Sequence, residues 1–290
     1  MKLSYLIILL LFTNISFGQA IEQLKSDGDA LAFLKKNFPE LDSFQYATNS
    51  ASKSSESKKW DVADLDRNGK ADLLISGTID GVRNIAYVVL ADGDNHYRLE
   101  DVSPRGYYLV PVAIIKKIGN DNAILLLQSV SGREWLDTLT FKYGVFLRYH
   151  PPGITKTKKI SLLHYRSTCP GDCPVYKLII DSSNVTLEAM GPGGMNMKPG
   201  DTLRGTYHSR LTREKFDELT ELINYIDISS LNSNYSVSRT DVPTGIIEVV
   251  FSDGTFKRID DYGKVGTPGL IVLHKFLDNL RATGSWTKTE

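Results

Sequence analysis

Short runs of β-branched and aromatic residues, separated by polar turns, fill the chain between residues 60 and 149. This pattern is typical of β-strands. Turn sequences such as residues 91–95 and 119–122 connect neighbouring runs over a few residues, which predicts antiparallel pairing. The predicted strands are residues 72–78, 85–91, 97–102, 107–118, 123–130, 135–143 and 145–149. We therefore expect a β meander or sandwich in this part of the chain.

A helical pattern precedes these strands. Residues 20–44 read as helical, with a break at Asp27-Gly28 and an end at Pro39. The apolar face consists of Leu31, Phe33, Leu34 and Phe38. Residues 47–59 are rich in Ser and Lys and lack apolar periodicity, which predicts a loop.

The C-terminal half combines strands with two helices. Thr212 begins the first helix, with an imperfect capping box because Lys215 stands where Glu is preferred. Residues 268–281 form the second helix. The apolar face of the first helix consists of Phe216, Leu219, Leu222, Ile223 and Ile226. The predicted strands are residues 160–166, 175–181, 185–190, 203–209, 245–251 and 256–259. The predicted class is α+β, mostly antiparallel β, with two helices on an antiparallel sheet in this half.

Length and composition suggest two domains of an ordinary globular protein. The chain has 290 residues, 41% of them hydrophobic, and its 34 Lys and Arg balance 34 Asp and Glu. This balance gives no sign of a nucleic-acid partner. Pro151-Pro152-Gly153 begins a predicted linker over residues 151–159. The predicted domains are therefore residues 19–150 and 160–290.

The first 18 residues have the pattern of a secretory signal peptide. Lys2 gives a positive start, residues 5–12 form an apolar core, and Ser16-Phe17-Gly18 offers a small-residue cleavage site. No apolar run is long enough to span a membrane, which takes about 20 residues. The sequence predicts an exported protein, periplasmic or extracellular, without a transmembrane segment.

An acidic loop between two predicted strands, residues 60–63 and 72–78, is the clearest chemical motif. Gly69 stands where this loop must turn sharply. The oxygen ligands predicted from the spacing are the side chains of Asp64, Asp66, Asn68 and Asp72 and the backbone carbonyl of Lys70. Carboxylate and carbonyl oxygens are the ligands that Ca²⁺ prefers. The sequence predicts a structural Ca²⁺ site, and the alternative is a polar turn that holds no ion.

The loop differs from an EF-hand, which requires a bidentate Glu at its twelfth position and flanking helices. That position is Ile75, within a strand-forming run. Residues 60–75 instead resemble the calcium loop of FG-GAP/VCBS-type repeats. The resemblance implies Ca²⁺ held between two β-strands, usually with a structural role in extracellular proteins.

Cys169 and Cys173 are the chain's two cysteines. An oxidising compartment favours a disulfide between them, and a turn with Pro and Gly can bring them within range. One alternative is a thiol-disulfide redox pair, for which Arg166 is the nearby cation. The other is a metal site with His164 or His208.

Three methionines cluster in and beside one glycine-rich loop: Met190, Met195 and Met197. Thioether sulfur is a ligand for Cu(I), so this loop is a candidate soft-metal site. The alternative is a loop whose methionines fill packing gaps.

Residues 164–178, 240–244 and 260–263 resemble, in this order, a family of exported bacterial proteins, domain of unknown function family 6438. The resemblance covers about residues 158–286. It implies a fold and a cell-envelope setting but no activity. A possible functional cluster consists of Arg166, Tyr176, His208, Asp241, Asp261 and Tyr262.

The predicted function is that of a non-enzymatic binding or structural module of the cell envelope, whose partner is an envelope protein or a glycan. An alternative is a hydrolase that uses Asp241 and Asp261, assisted by Tyr262 or His208. The chain contains neither a Gly-x-Ser-x-Gly elbow nor a His-Glu-x-x-His zinc motif. No reaction class is therefore predicted.

Overall fold

The structure is a computed structural model of the chain. It describes residues 20–46, 58–93, 95–103, 112–130, 133–151, 157–171, 173–192 and 204–289. The predicted signal peptide, residues 1–18, lies outside the described residues, as do residues 152–156 of the predicted linker. The predicted α+β class is confirmed, because the described chain is mostly antiparallel β-sheet with three α-helices.

The chain divides into two compact units, the first ending at Thr138 and the second beginning at Leu139. The division falls inside a strand, Arg133–Lys142, whose last residues pair with the next strand within the second unit. The predicted linker at 151–159 lies further along the chain, and the predicted domain limits stay a prediction.

The N-terminal unit contains a five-stranded antiparallel sheet. Its strands are β1 (Phe44–Gln45), β2 (Trp60–Ala63), β3 (Asp72–Ile79), β4 (Arg83–Gly93) and β5 (His96–Asp101). β3, β4 and β5 form a meander, and β1 and β2 both pair with β3. Consecutive residues of β3 and β4 are buried, so both faces of these strands are covered.

Helix α1 (Asp27–Asn37) packs on this sheet, flanked by 3-10 turns at Ile21–Gln23 and Pro39–Leu41. The Ser26 hydroxyl caps its N-terminus by accepting a hydrogen bond from the Asp29 backbone N–H at 3.1 Å. Asp27 and Gly28, predicted as a helix break, instead form the first turn of α1, where an acidic side chain is favoured by the helix dipole. That prediction was wrong because Ser26 acts as the cap.

The next strands are β6 (Val112–Ile118), β7 (Asp121–Val130), β8 (Arg133–Lys142) and β9 (Val145–Arg148). β6 pairs with β7, and β8 pairs with β9, in antiparallel hairpins as the short turns predict. The strand predicted over 107–118 is seen from Val112, and residues 104–111 lie outside the described residues.

The C-terminal unit contains an eight-stranded sheet in the order β14-β16-β15-β10-β11-β12-β13-β17. Its strands are β10 (Ile160–Thr168), β11 (Pro174–Asp181), β12 (Asn184–Pro192), β13 (Gly205–Arg210), β14 (Asn234–Tyr235), β15 (Thr244–Phe251), β16 (Phe256–Tyr262) and β17 (Thr287–Lys288). Neighbouring strands are antiparallel except β14 and β16, which are parallel.

Helices α2 (Arg213–Tyr225) and α3 (Pro268–Thr283) cover one face of this sheet. Burial alternates along β10, β11 and β15, so every second residue faces the helices. The Thr212 hydroxyl accepts a hydrogen bond from the Lys215 backbone N–H at 3.3 Å, which confirms the predicted cap. Among the described residues, every helix is too short or too polar to pass through a lipid bilayer.

Candidate functional site

The acidic loop connects β2 to β3, and its ends meet where Ala63 pairs with Asp72. Two antiparallel strands therefore flank the loop, which confirms the predicted difference from an EF-hand. Gly69 has a φ of +83°, so the sharp turn falls at the predicted glycine.

Backbone N–H groups orient the carboxylates of this loop. Asp72 is fully buried, and its two oxygens accept hydrogen bonds from the N–H groups of Leu65 and Ala91 at 2.7 and 2.9 Å. Asp64 Oδ2 accepts one from the Gly69 N–H at 3.0 Å. Carboxylate oxygens of Asp64, Asp66 and Asp72 lie within 4.8 Å of one another. Asp64 Oδ1 is buried and has no hydrogen-bond partner among the described residues.

Asn68 links the loop to β4. Its Nδ2 donates to Asp66 Oδ2 at 3.1 Å and to the Ala91 carbonyl at 2.9 Å, and its Oδ1 accepts from the Lys70 N–H at 2.8 Å. Ligand roles for Asn68 and Lys70 stay predictions. The sequence reasoning missed Ala91 and Asn122, whose Nδ2 donates to the Asp64 carbonyl at 2.7 Å.

Burial, and after it the charges of neighbouring carboxylates, make ionisation of this loop's carboxyl groups less favourable. Burial raises the pKa of Asp72 from 3.8 to about 6. Burial, and then the charges of Asp64 and Asp92, raise the pKa of Asp66. A cation among these oxygens would offset both effects, because it favours the charged form of each carboxylate.

A disulfide joins Cys169 and Cys173 across the turn between β10 and β11, with their Cα atoms 5.7 Å apart. The Gly171 N–H donates to Cys169 Sγ at 3.4 Å. A strand follows Cys173, so the pair does not lie at a helix N-terminus, where thiol pKa values are lowered. This placement fits a structural bond between two neighbouring strands.

Replacing both cysteines by alanine should lower the free energy of unfolding of the C-terminal unit by about 2 kcal/mol, because the bond closes a five-residue loop in the unfolded chain. Calorimetry of the full chain measures this change. Reductant should lower the melting temperature of the wild type and leave the double variant unchanged. A reductant effect of equal size on both proteins would contradict the assignment.

A buried hydrogen bond between His274 and Asp261 attaches α3 to the sheet. His274 Nε2 donates to Asp261 Oδ2 at 3.0 Å, and the two side chains are 3% and 0% exposed. The N–H groups of Val265 and Gly266 donate to the same carboxylate at 3.0 Å. A Cβ atom at Gly245 would lie 2.3 Å from His274 Cε1, so only glycine fits opposite this ring.

A second polar cluster lies further along α3. Asp278 accepts hydrogen bonds from the hydroxyls of Tyr165, at 2.9 Å, and Tyr176, and its other oxygen lies 3.1 Å from Lys264 Nζ. The Arg281 guanidinium lies over the Tyr176 ring, 5.1 Å from its centre. Burial and the Asp278 charge raise the pKa of both tyrosines well above the usual range, so both stay neutral hydrogen-bond donors.

The three segments that carry the family resemblance meet in one row of the sheet, because Thr244 pairs with Thr168 on one side and with Tyr262 on the other. Residues 159–281 match the family described as domain of unknown function (DUF6438). The match confirms the resemblance of the C-terminal half. No curated protein and no solved structure shows a significant match to the chain. The FG-GAP/VCBS resemblance of residues 60–75 lies outside the matched range and stays a prediction.

Within the matched range, the residues of the possible functional cluster lie in different environments. Tyr176 and Asp261 are buried on the helix-covered face. Arg166 and His208 are exposed on β10 and β13. Asp241 is exposed in a loop with a φ of +58°. Tyr262 is half-buried at the end of β16. Asp261 has hydrogen bonds to both oxygens, which supports a structural role rather than acid–base chemistry.

Met190 is 48% exposed at the end of β12. Met195 and Met197 lie outside the described residues, so the soft-metal site stays a prediction.

Proposed function

We propose that this chain is an exported, non-enzymatic binding or structural module of the cell envelope. Its first unit holds Ca²⁺ in the loop between β2 and β3. Its second unit contains the DUF6438 match. In this unit the Cys169–Cys173 disulfide stabilises the turn between β10 and β11, and the His274–Asp261 hydrogen bond attaches α3 to the sheet. Its binding partner is an envelope protein or a glycan.

The buried Asp64 Oδ1 without a hydrogen-bond partner is the observation that carries the calcium proposal. A buried carboxylate oxygen without a partner is costly, and a bound cation would satisfy it. Asp66 and Asp72 supply further hard oxygen atoms nearby, which suits Ca²⁺ better than a soft metal.

Bound calcium would act as a structural clamp and supply no reaction chemistry. Asp72 and Asn68 already connect the loop to Ala91 on β4, and Asn122 connects it to the start of β7. An ion among the carboxylates would remove their mutual repulsion and hold these connections together. The consequence is stability of the N-terminal unit that depends on calcium.

Export is supported by two observations of different kinds. The predicted signal peptide has the charge and apolar pattern of a secretory leader. The Cys169–Cys173 bond is of the kind that persists in oxidising compartments such as the periplasm.

Calcium at 10 mM should stabilise the N-terminal unit by about 1.4 to 2.7 kcal/mol, given the dissociation constants of about 10⁻³ to 10⁻⁴ M that are typical of extracellular sites. Calorimetry of the full chain in calcium and in chelator measures this shift. Asp66→Ala should abolish it while changing the melt in chelator little.

Glu40→Ala is the matched control, because Glu40 is an exposed carboxylate of the same unit, away from the loop. This variant should keep the full calcium shift. An Asp66→Ala variant that loses equal stability in calcium and in chelator would contradict the metal site.

A further inference from the structure

The edge of the eight-stranded sheet has a gap beside β13. β17 pairs with this strand at Tyr207 and His208, and the Thr289 N–H donates to the Thr206 carbonyl at 2.9 Å. β13 continues to Arg210, but its pairing with β17 ends at His208. The chain before β17 turns inward instead, because Trp286 packs against the core and its indole N–H donates to the Arg281 carbonyl.

A shallow surface pocket of about 460 Å³, wide open to solvent, lies at this gap. The volume falls in the range of small-molecule sites, roughly 300–1,000 Å³. Its polar lining consists of Asn184, His208, Ser209, Arg210, Ser285 and Thr287. Val185, a buried core residue, supplies the apolar part. No Asp or Glu belongs to the lining among the described residues.

Hydrogen bonds with neighbouring side chains position Arg210 and His208 in the lining. Arg210 Nε donates to Asn184 Oδ1 at 3.3 Å, and His208 Nδ1 lies 3.2 Å from the Thr186 hydroxyl. The two Nη groups of Arg210 have no hydrogen-bond partner among the described residues. A guanidinium positioned in this way can bind a carboxylate through two parallel hydrogen bonds.

We propose that this pocket, named here the β13 notch and defined by the six polar residues above, binds a small hydroxylated organic anion of the sugar-acid class. The carboxylate of the ligand pairs with the Arg210 guanidinium. The hydroxyl groups of the ligand exchange hydrogen bonds with the side chains of Asn184, His208, Ser285 and Thr287. The site is independent of the calcium loop, which belongs to the other unit.

Two properties of the notch favour this ligand over other partners. The open edge spans Ser209 and Arg210, whereas an added peptide strand needs about three or more residues of edge. The polar lining holds several hydroxyl groups besides one guanidinium, which suits a ligand with both an anionic group and hydroxyl groups better than a simple inorganic anion.

The test is an NMR titration of the full chain with glucuronate, glucose and inorganic phosphate. Glucuronate should shift the backbone amides of Ser209, Arg210, Ser285 and Thr287 saturably. Glucose and phosphate should each bind at least about tenfold more weakly than glucuronate. Glucose lacks the carboxylate that pairs with Arg210, and phosphate lacks the sugar hydroxyl groups. Phosphate binding as tight as glucuronate would overturn the sugar-acid assignment, as would the absence of a saturable shift with glucuronate.

Variants test whether Arg210 anchors the ligand. Arg210→Ala should lower glucuronate affinity about tenfold or more, the loss expected when a charge-assisted hydrogen bond is removed. Arg213→Ala is the matched control, because Arg213 has a 90% exposed side chain in the same unit and lies outside the lining. Equal affinity for glucuronate in the Arg210→Ala and Arg213→Ala proteins would overturn the proposal.

Discussion

Replacing Asp261 by alanine should lower the free energy of unfolding of the C-terminal unit by about 3 kcal/mol or more, because it removes the buried acceptor of three hydrogen bonds, at about 1–3 kcal/mol each. The substitution leaves His274 without a partner at 2% exposure. It also removes the hydrogen bonds that the Val265 and Gly266 N–H groups donate to Asp261, just before α3 begins. Each lost buried acceptor adds to the cost.

Urea denaturation of the full chain, followed by circular dichroism, measures this loss. Asp260→Ala is the matched control, because Asp260 precedes Asp261 on β16 and is a half-buried residue that pairs with Arg258. Ion pairs that are partly exposed to solvent, as this one is, contribute about 1 kcal/mol or less. If both variants cost the same, Asp261 is not the attachment point of α3.

The pH dependence of the Asp261 contribution follows from its hydrogen bonds. Burial alone would raise the pKa of Asp261, but hydrogen bonds from His274, Gly266 and Val265 hold it below the ordinary value of 3.8. The lowered pKa means that the stabilisation is present above pH 3.8 and is lost as the pH falls below that value. The stability difference between the wild type and Asp261→Asn should therefore narrow in acid. A difference that widens below pH 3.8 would contradict this account.

Much of the fold could be predicted because its elements are long and periodic. The apolar periodicity of α2 and the run of strand-forming residues in β3 indicate their secondary structure locally, and both elements form as predicted in the folded chain. The structure adds β1, β14 and β17, which have two residues each and form only because a neighbouring strand offers an edge. No sequence window of two residues carries a period, so such strands depend on tertiary contacts alone.

The candidate sites also differ in whether their residues are close together in the sequence. The acidic loop could be predicted because its carboxylates lie within nine residues of chain and close on one another locally. The Asp261–His274 pair could not, because its members belong to a strand and a helix that only packing brings together. One signal was available: His274 falls on the buried stripe of α3 with Leu270, Leu273 and Leu277, a position where a polar side chain needs a partner.

Asp72→Asn should remove the calcium response and, in chelator, remove the part of the pH dependence of stability that comes from Asp72. The pKa of Asp72 is raised from 3.8 to about 6, so the folded state favours the protonated acid. Its contribution is fully present below pH 3.8 and is lost as the pH rises through about 6. Without calcium, lowering the pH from about 7.5 to 5 should stabilise the wild type relative to Asp72→Asn by about 1.4 kcal/mol.

In calcium at about pH 7.5 the same pair of proteins should differ for another reason, because the wild type gains the binding energy of the ion and the variant does not. Calorimetry in chelator and in calcium at both pH values separates the two effects. Glu40→Gln, which removes an exposed charge outside the loop, should follow the wild type in all four conditions. A wild-type calcium shift retained in Asp72→Asn would show that the buried carboxylate is not a ligand. A pH dependence shared by both proteins would show that Asp72 does not titrate as its burial implies.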